Sequence, residues 1–158
     1  MSFFDAVSSG FRNCVNFRGR ASRHEYWWFV LFSVLVGMAL SLLSSVAAGM
    51  VPVSFFVLLN GIVSLGLSLP QPALAVRRLH DTNRTGWWLL GPVLGSTLLS
   101  VGFLLFIDDS FATAAGWIFG GLLILIVTGT INLVFLLLRG DAASNRFGPP
   151  PPGTPATM

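Results

Sequence analysis

The sequence predicts an all-α membrane protein with four transmembrane helices in two hairpins, preceded by a short interfacial amphipathic helix. Hydrophobic residues make up 54% of the 158 residues, and mean hydropathy is +0.79. Only 9% of residues are charged, against about 25% in typical soluble domains. Residues 26–76, 85–107 and 110–138 contain no Asp, Glu, Lys or Arg. Since a helix needs about 20 apolar residues to cross the hydrocarbon core, the first run holds two crossings and each of the others holds one.

Residues 1–25 are predicted to form the interfacial amphipathic helix and a basic loop. Apolar side chains recur on one helical face, while Ser, Asp, Arg and Asn occupy the other; the apolar residues are Phe3, Phe4, Val7, Phe11, Cys14 and Val15. Ser22 can cap the next helix, with Glu25 at the capping-box position. Because Cys14 is the only cysteine, an intramolecular disulfide is excluded, and no Cys/His spacing indicates a metal site.

Residues 26–138 form the predicted transmembrane domain. Its crossings are residues 26–48, 53–76, 87–107 and 114–138. Gly49 and Pro52 mark the first turn, because proline at that point cannot continue the helix. Pro70 and Pro72 are expected to kink or loosen the final turns of the second crossing. The tail, residues 139–158, is rich in Pro, Gly and Ala and is predicted to be disordered after Pro149.

The charge distribution predicts how these crossings are oriented. Four crossings place every arginine on one side, namely Arg12, Arg18, Arg20, Arg23, Arg77, Arg78, Arg84, Arg139 and Arg146. The opposite side carries an acidic turn with Asp108 and Asp109. The positive-inside rule therefore predicts that both termini and the segment of residues 77–86 are cytoplasmic.

Small and polar residues follow stripes along the crossings. They are Ser33, Gly37, Ser41 and Ser45; Asn60, Ser64, Ser68 and Gln71; Gly91 and Gly95; and Gly116 and Gly120. Such stripes are typical of helix packing. A narrow polar pathway beside Asn60, Ser64, Ser68 and Asn132 is the other interpretation, and the sequence leaves both open. The crossings lack ionisable residues, which counts against an ion-coupled transporter.

Three segments are similar to a known family. "NFRGRASRHEYWWF", "RRLHDTNRTGWWLL" and "NRFGPPP" resemble the domain-of-unknown-function 805 family of small bacterial inner-membrane proteins. The loop "RGDAAS" before the third segment departs slightly from the family pattern. The resemblance implies a four-helix fold in the bacterial inner membrane with a cytoplasmic N-terminus. It implies no established activity.

The polar residues at the arginine-bearing side form the candidate site. They are Arg18, Arg20, Arg23, His24, Glu25, Arg77, Arg78, His80, Asp81, Asn83 and Arg84, with Trp27, Trp28, Trp87 and Trp88 as interfacial anchors. Guanidinium groups suit bidentate phosphate contacts, so we expect this cluster to bind anionic lipid headgroups or a protein partner. Asp81 and Glu25 are expected to pair with arginines of the other polar segment and so tie the two hairpins together.

Other functional classes find less support. His80 beside Asp81, and His24 beside Glu25, can move protons, but neighbouring side chains point in different directions. No GxSxG, HExxH or glycine-rich phosphate motif occurs, so no catalytic, cofactor or metal site is predicted. Net charge is only +3 and the arginines lie at helix ends, which argues against nucleic acid. The alternatives are a small transporter or channel subunit acting as an oligomer and, third, a membrane-embedded enzyme on a lipid or phosphate substrate. A homo-oligomer or another membrane protein remains open as a partner.

Overall fold

The structure, a computed structural model, describes residues 2–107 and 111–151. Six α-helices lie within those ranges: α1 (Phe3–Arg12), α2 (Arg23–Val46), α3 (Val53–Ser68), α4 (Pro70–Asp81), α5 (Leu90–Ile107) and α6 (Phe111–Leu137). A short 3-10 helix, Gly86–Leu89, leads into α5. The acidic turn predicted at Asp108 and Asp109, and the disorder predicted for the last residues of the tail, fall outside the described residues.

Within the described residues, four segments are long and apolar enough to cross a membrane, which confirms the predicted fold class. They are Arg23–Val46, Val53–Asp81, Gly86–Ile107 and Thr113–Leu137. Large apolar side chains on these helices, such as Leu42, Phe103 and Ile126, remain mostly exposed. Lipid tails rather than water solvate such surfaces, so helix association does not depend on burying them.

The chain divides into two compact units. The first comprises Met1–Asn83 and Gly140–Met158, and the second comprises Arg84–Arg139. The first unit therefore contains α1 to α4 and the C-terminal tail. The second contains α5 and α6.

Helix α1 packs against the beginning of α2. A full capping box, in which Ser2 and Asp5 exchange hydrogen bonds, begins α1, and the hydrogen bonds with the side chain and backbone of Ser2 hold the pKa of the Asp5 carboxyl below its usual value. Gly10 is buried, and a Cβ there would lie 2.5 Å from the Phe29 ring. The Phe3 ring makes an edge contact with Trp28, with centroids 5.6 Å apart. The predicted amphipathic helix is thus present and lies at one end of a membrane-spanning helix.

The second crossing is longer than the sequence predicts. Leu69 keeps right-handed helical dihedrals between α3 and α4, so Pro70 and Pro72 interrupt the hydrogen-bond ladder without ending the segment. α4 continues to Asp81, beyond the predicted end at residue 76. Two ion pairs of Asp81 stabilise the extension, one with Arg78 a turn earlier on α4 and one with Arg20 of the loop before α2. After it, Asn83 adopts φ 59°, a left-handed conformation that asparagine tolerates at a helix end.

Close packing of glycines joins α5 to α6 in the second unit. A Cβ at Gly95 would lie 2.7 Å from the Leu125 backbone nitrogen, and one at Gly91 would lie 2.6 Å from the Thr128 side chain. These two glycines therefore belong to a packing face. A Cβ added at Gly116 or Gly120 would meet no atom within 4 Å in the described part of the chain, so these two glycines make no such close approach there. Gly121 makes the close approach instead, with 2.7 Å from an added Cβ to the Leu99 nitrogen.

The polar stripes are satisfied mainly by their own helices. Ser33 and Asn60 donate to carbonyl groups one turn earlier, at 3.0 Å to Phe29 and 2.9 Å to Phe56. Asn132 is buried and donates at 2.8 Å both to the Thr128 carbonyl and to the Trp88 carbonyl. Asn132 thus connects α6 to the entrance of α5 within the second unit.

Candidate functional site

Five charged side chains are buried together at one end of the first unit. This ionic cluster consists of Arg20, Glu25, Arg77, Arg78 and Asp81, each less than one-tenth exposed. Arg20 comes from the loop between α1 and α2, Glu25 from the first turn of α2, and the other three from the last two turns of α4. Buried charges are costly unless they are paired and hydrogen-bonded, so their contacts determine what the site can do.

Asp81 lies at the centre of the ionic cluster and forms ion pairs with two arginines. Its Oδ1 accepts from Arg20 Nε at 2.9 Å and forms an ion pair with Arg20 Nη2 at 2.8 Å. Its Oδ2 accepts from Nη1 of Arg78, three residues earlier on α4. Arg78 is the largest fully buried side chain among the described residues. Both carboxylate oxygens are therefore committed to guanidinium groups.

Arg20 also holds the C-terminal tail. Its Nη1 donates to the Ala143 carbonyl at 2.8 Å and to the Gly148 carbonyl at 3.3 Å. Its Nη2 donates to the Asp141 carbonyl as well. In return, the Asp141 N–H donates to the Asp81 carbonyl at 2.8 Å. One guanidinium thus joins the N-terminal loop, the end of α4 and the tail.

His80 contacts the tail and the N-terminal loop through its imidazole ring, and not through an interaction with Asp81. Its ring stacks on Phe147 of the tail, with centroids 3.8 Å apart and planes 3° apart. Its Nδ1 lies 3.1 Å from the Gly19 carbonyl. A carbonyl oxygen only accepts, which assigns the proton to Nδ1. The His80 carbonyl accepts from the Asn145 amide at 2.9 Å, so His80 is a docking position for the tail.

Glu25 joins three helices. Its Oε1 accepts from Ser9 Oγ of α1 at 2.8 Å and from Arg77 Nη1 of α4 at 3.3 Å. Ser22 caps α2 by accepting from the Glu25 N–H at 3.2 Å. The predicted cap is thus present, but the Glu25 side chain turns to Ser9 and Arg77 and does not complete the box. The Ala21 N–H donates to the Arg77 carbonyl at 3.0 Å, which fixes the loop to α4.

The pairing expected for Glu25 and Asp81 occurs, but it does not tie the two hairpins together. Arg20 with Asp81, and Arg77 with Glu25, are both pairs within the first unit. They connect the beginning of α2 to the end of α4, which are the two ends of one hairpin. The sequence hypothesis was wrong on this point, because the loop before α2 and the end of α4 already provide complementary charges.

The remaining candidate residues lie outside the ionic cluster. Arg18, Arg23 and His24 are exposed. Arg84 belongs to the second unit, where its guanidinium lies 4.0 Å from the Phe135 ring centroid. The exposed Asn83 contributes its carbonyl, which accepts from Arg146 Nη2 at 2.9 Å. Of the anchors, Trp27 and Trp28 are half-buried on α2, and Trp87 and Trp88 are exposed.

Sequence reasoning missed Ser9 and the residues of the tail. Ser9 gave no signal, because a serine on the polar face of an amphipathic helix is unremarkable. Asn145 and Phe147 belong to the "NRFG" segment that contributed to the family resemblance, which was their only signal. Within residues 2–107 and 111–151, no group of three or more His, Cys, Asp or Glu side chains is placed to hold a metal ion.

Comparisons with known proteins agree with this architecture. The model of the family described as "Protein of unknown function (DUF805)" matches residues 14–149. Inner membrane protein YhaI of Escherichia coli strain K12 is 33% identical over 140 residues, which cover 89% of each chain. Inner membrane protein YhaH of the same strain is 33% identical over 140 residues, which cover 89% of this chain and 90% of YhaH. No solved structure matches. With four membrane-spanning helices and a family match over most of its length, the chain is an integral membrane protein that belongs to the DUF805 family.

Proposed function

We propose that this chain is a non-enzymatic protein of the bacterial inner membrane whose N-terminal segment binds anionic lipid headgroups. The names of YhaI and YhaH support the inner membrane as its location. The positive-inside rule supports cytoplasmic termini, since the four spans leave the arginines on one side. The lipid surface is the N-terminal face, defined as Phe4, Phe11, Arg12, Phe17 and Arg18.

The exposure of aromatic side chains on the N-terminal face carries this proposal. Phe4 is 81% exposed, and Phe11 and Phe17 are almost half exposed. Phe11 also makes an edge contact with Phe29 in the second turn of α2, with centroids 5.5 Å apart. α1 therefore lies at the level where a membrane span meets the headgroups. A helix at that level gains free energy by inserting exposed aromatic rings among the acyl chains.

The arginines of the N-terminal face remain available to lipid phosphates. Arg12 and Arg18 are exposed, whereas the carboxylates of Glu25 and Asp81 are engaged by buried arginines. A basic side chain beside an anionic leaflet gains about 1 kcal/mol. The two arginines together thus provide a modest, surface-exposed attraction for acidic lipids, while the ionic cluster keeps the segment that carries them in place.

Replacing Arg12 or Arg18 by Gln is expected to weaken binding of phosphatidylglycerol about five-fold, which corresponds to about 1 kcal/mol. The measurement is a titration of the detergent-purified full chain with this lipid, followed by native mass spectrometry. Arg139→Gln is the matched control, because Arg139 is an exposed arginine outside the N-terminal face. If Arg139→Gln weakens lipid binding equally, Arg12 and Arg18 act only as interfacial anchors like any other arginine. Unchanged lipid binding in Arg12→Gln and Arg18→Gln would refute the proposal.

A further inference from the structure

Arg77 is buried with three of its five N–H donors, those on Nε and Nη2, unsatisfied. The side chain is 7% exposed, and its Nη1 makes a long contact of 3.3 Å with Glu25 Oε1. Its Nε and Nη2 are buried and meet no acceptor among the described residues. An unsatisfied buried donor destabilises the folded protein, and more so when it carries charge. The molecule therefore gains stability from any oxygen that reaches this pair of nitrogens.

The two nitrogens form a defined recognition edge. Nε–H and Nη2–H of a guanidinium point in the same direction and can hold two oxygens of one phosphate or carboxylate. Arg20 in the same ionic cluster uses this edge, with its Nε and Nη2 at 2.9 and 2.8 Å from Asp81 Oδ1. Within the described residues, the corresponding edge of Arg77 meets no carboxylate.

The ion pairs of the ionic cluster single out the same side chain. Three guanidinium groups, from Arg20, Arg77 and Arg78, share the two carboxylates of Glu25 and Asp81. Arg20 and Arg78 both pair with Asp81, whereas Arg77 has a single long contact of 3.3 Å with Glu25. A negatively charged group at the Nε–Nη2 edge would give Arg77 a second partner.

We infer that the Nε–Nη2 edge of Arg77 binds one phosphate group, from a phospholipid headgroup or from free phosphate. Both sources present two equivalent anionic oxygens to this edge. The inference rests on the proposed function for its ligand class, but it concerns one enclosed site and not the N-terminal face. Because Nε and Nη2 of Arg77 are buried, a ligand reaches them only when neighbouring groups move.

The test measures binding of three probes to the full chain in detergent after residual lipid has been removed. They are dioctanoyl-phosphatidylglycerol, inorganic phosphate, and dioctanoylglycerol, which has matched acyl chains and no phosphate. Native mass spectrometry is expected to find one tightly bound phosphatidylglycerol per chain, with a higher melting temperature, and no such effect of dioctanoylglycerol. A matching effect of inorganic phosphate identifies free phosphate as a sufficient ligand, and its absence identifies the lipid headgroup; both results support the site.

Arg77→Lys is expected to weaken the first phosphatidylglycerol adduct at least ten-fold, because lysine retains the charge beside Glu25 and loses the two-nitrogen edge. Arg139→Lys is the matched control and should bind as the wild type does. If Arg77→Lys does not fold, a double variant, Glu25→Gln with Arg77→Met, removes both members of the ion pair. This variant should fold, and phosphatidylglycerol should no longer raise its melting temperature. Removing a buried ion pair as a whole is often tolerated.

Two results would overturn the inference. One is the absence of a single tight phosphatidylglycerol adduct in the wild type, and the other is an unchanged adduct in the Arg77 variants. The proposed function fails separately. If the proposed function alone is wrong, Arg12→Gln and Arg18→Gln do not change lipid binding, while the wild type still binds one phosphatidylglycerol tightly. If the inference about Arg77 alone is wrong, Arg12→Gln and Arg18→Gln weaken lipid binding, and the Arg77 variants do not.

Discussion

Replacing Asp81 by Asn is expected to lower the free energy of unfolding by about 3 kcal/mol or more. The carboxylate serves Arg20 and Arg78, which are both buried. The neutral amide leaves two guanidinium groups without an opposite charge, and losing one partner of a buried pair typically costs about 3–5 kcal/mol. Thermal unfolding of the purified protein in detergent, followed by circular dichroism, measures the effect, and the yield of folded protein should fall with it.

The control for this substitution is Asp5→Asn. Asp5 is an exposed carboxylate in the capping box of α1, so its replacement removes the same charge without stranding a buried arginine. We expect a much smaller loss of stability than for Asp81→Asn, because only an exposed helix cap is weakened. Equal melting temperatures for Asp81→Asn and the wild type would show that the ionic cluster does not stabilise the protein.

Replacing Gly140 by Ala is expected to release the C-terminal tail from the end of α4. A Cβ at this position would clash with Oδ2 and Cγ of Asp81. Either the tail or the carboxylate must move, and Asp81 is already fixed by two arginines. Overpacking of this kind costs about 1–3 kcal/mol. Limited proteolysis measures it directly, because trypsin can cleave after Arg146, which is exposed in the tail, and we expect cleavage to become several-fold faster.

Gly116→Ala provides the matched control for Gly140→Ala. Gly116 lies in α6, and an added Cβ there meets no atom within 4 Å. Alanine favours helix over glycine, so this variant should be neutral or slightly more stable. Tail cleavage at the wild-type rate in Gly140→Ala would mean that Gly140 does not lie against Asp81.

The membrane-spanning architecture could be predicted from the sequence because its cause is local. Long runs without charge, such as residues 85–107, have few structural solutions other than a transmembrane helix. The turn at Gly49 and Pro52 and the cap at Ser22 also depend on a few neighbouring residues. Gly49 has φ +85°, a conformation that glycine adopts without strain.

The organisation of the ionic cluster could not be predicted, because its contacts join distant parts of the chain. Hydropathy placed Arg77 and Arg78 in a polar connection, whereas both are buried at the end of α4. The composition of the tail resembles that of a disordered segment. Its position depends on the carbonyl groups of Asp141, Ala143 and Gly148, which accept hydrogen bonds from Arg20. Every residue has a backbone carbonyl group, so the amino-acid sequence does not indicate which of them will accept.

Hydrogen exchange at the Asp141 amide tests most directly whether the ionic cluster holds loop, helix and tail together. This N–H donates to the Asp81 carbonyl at 2.8 Å, although it lies in a stretch whose composition is typical of disordered chain. Our account predicts that in the full-length protein it exchanges at least a hundred-fold more slowly than in an unstructured peptide, roughly 2.7 kcal/mol of protection. Exchange at the unstructured rate would contradict a docked tail.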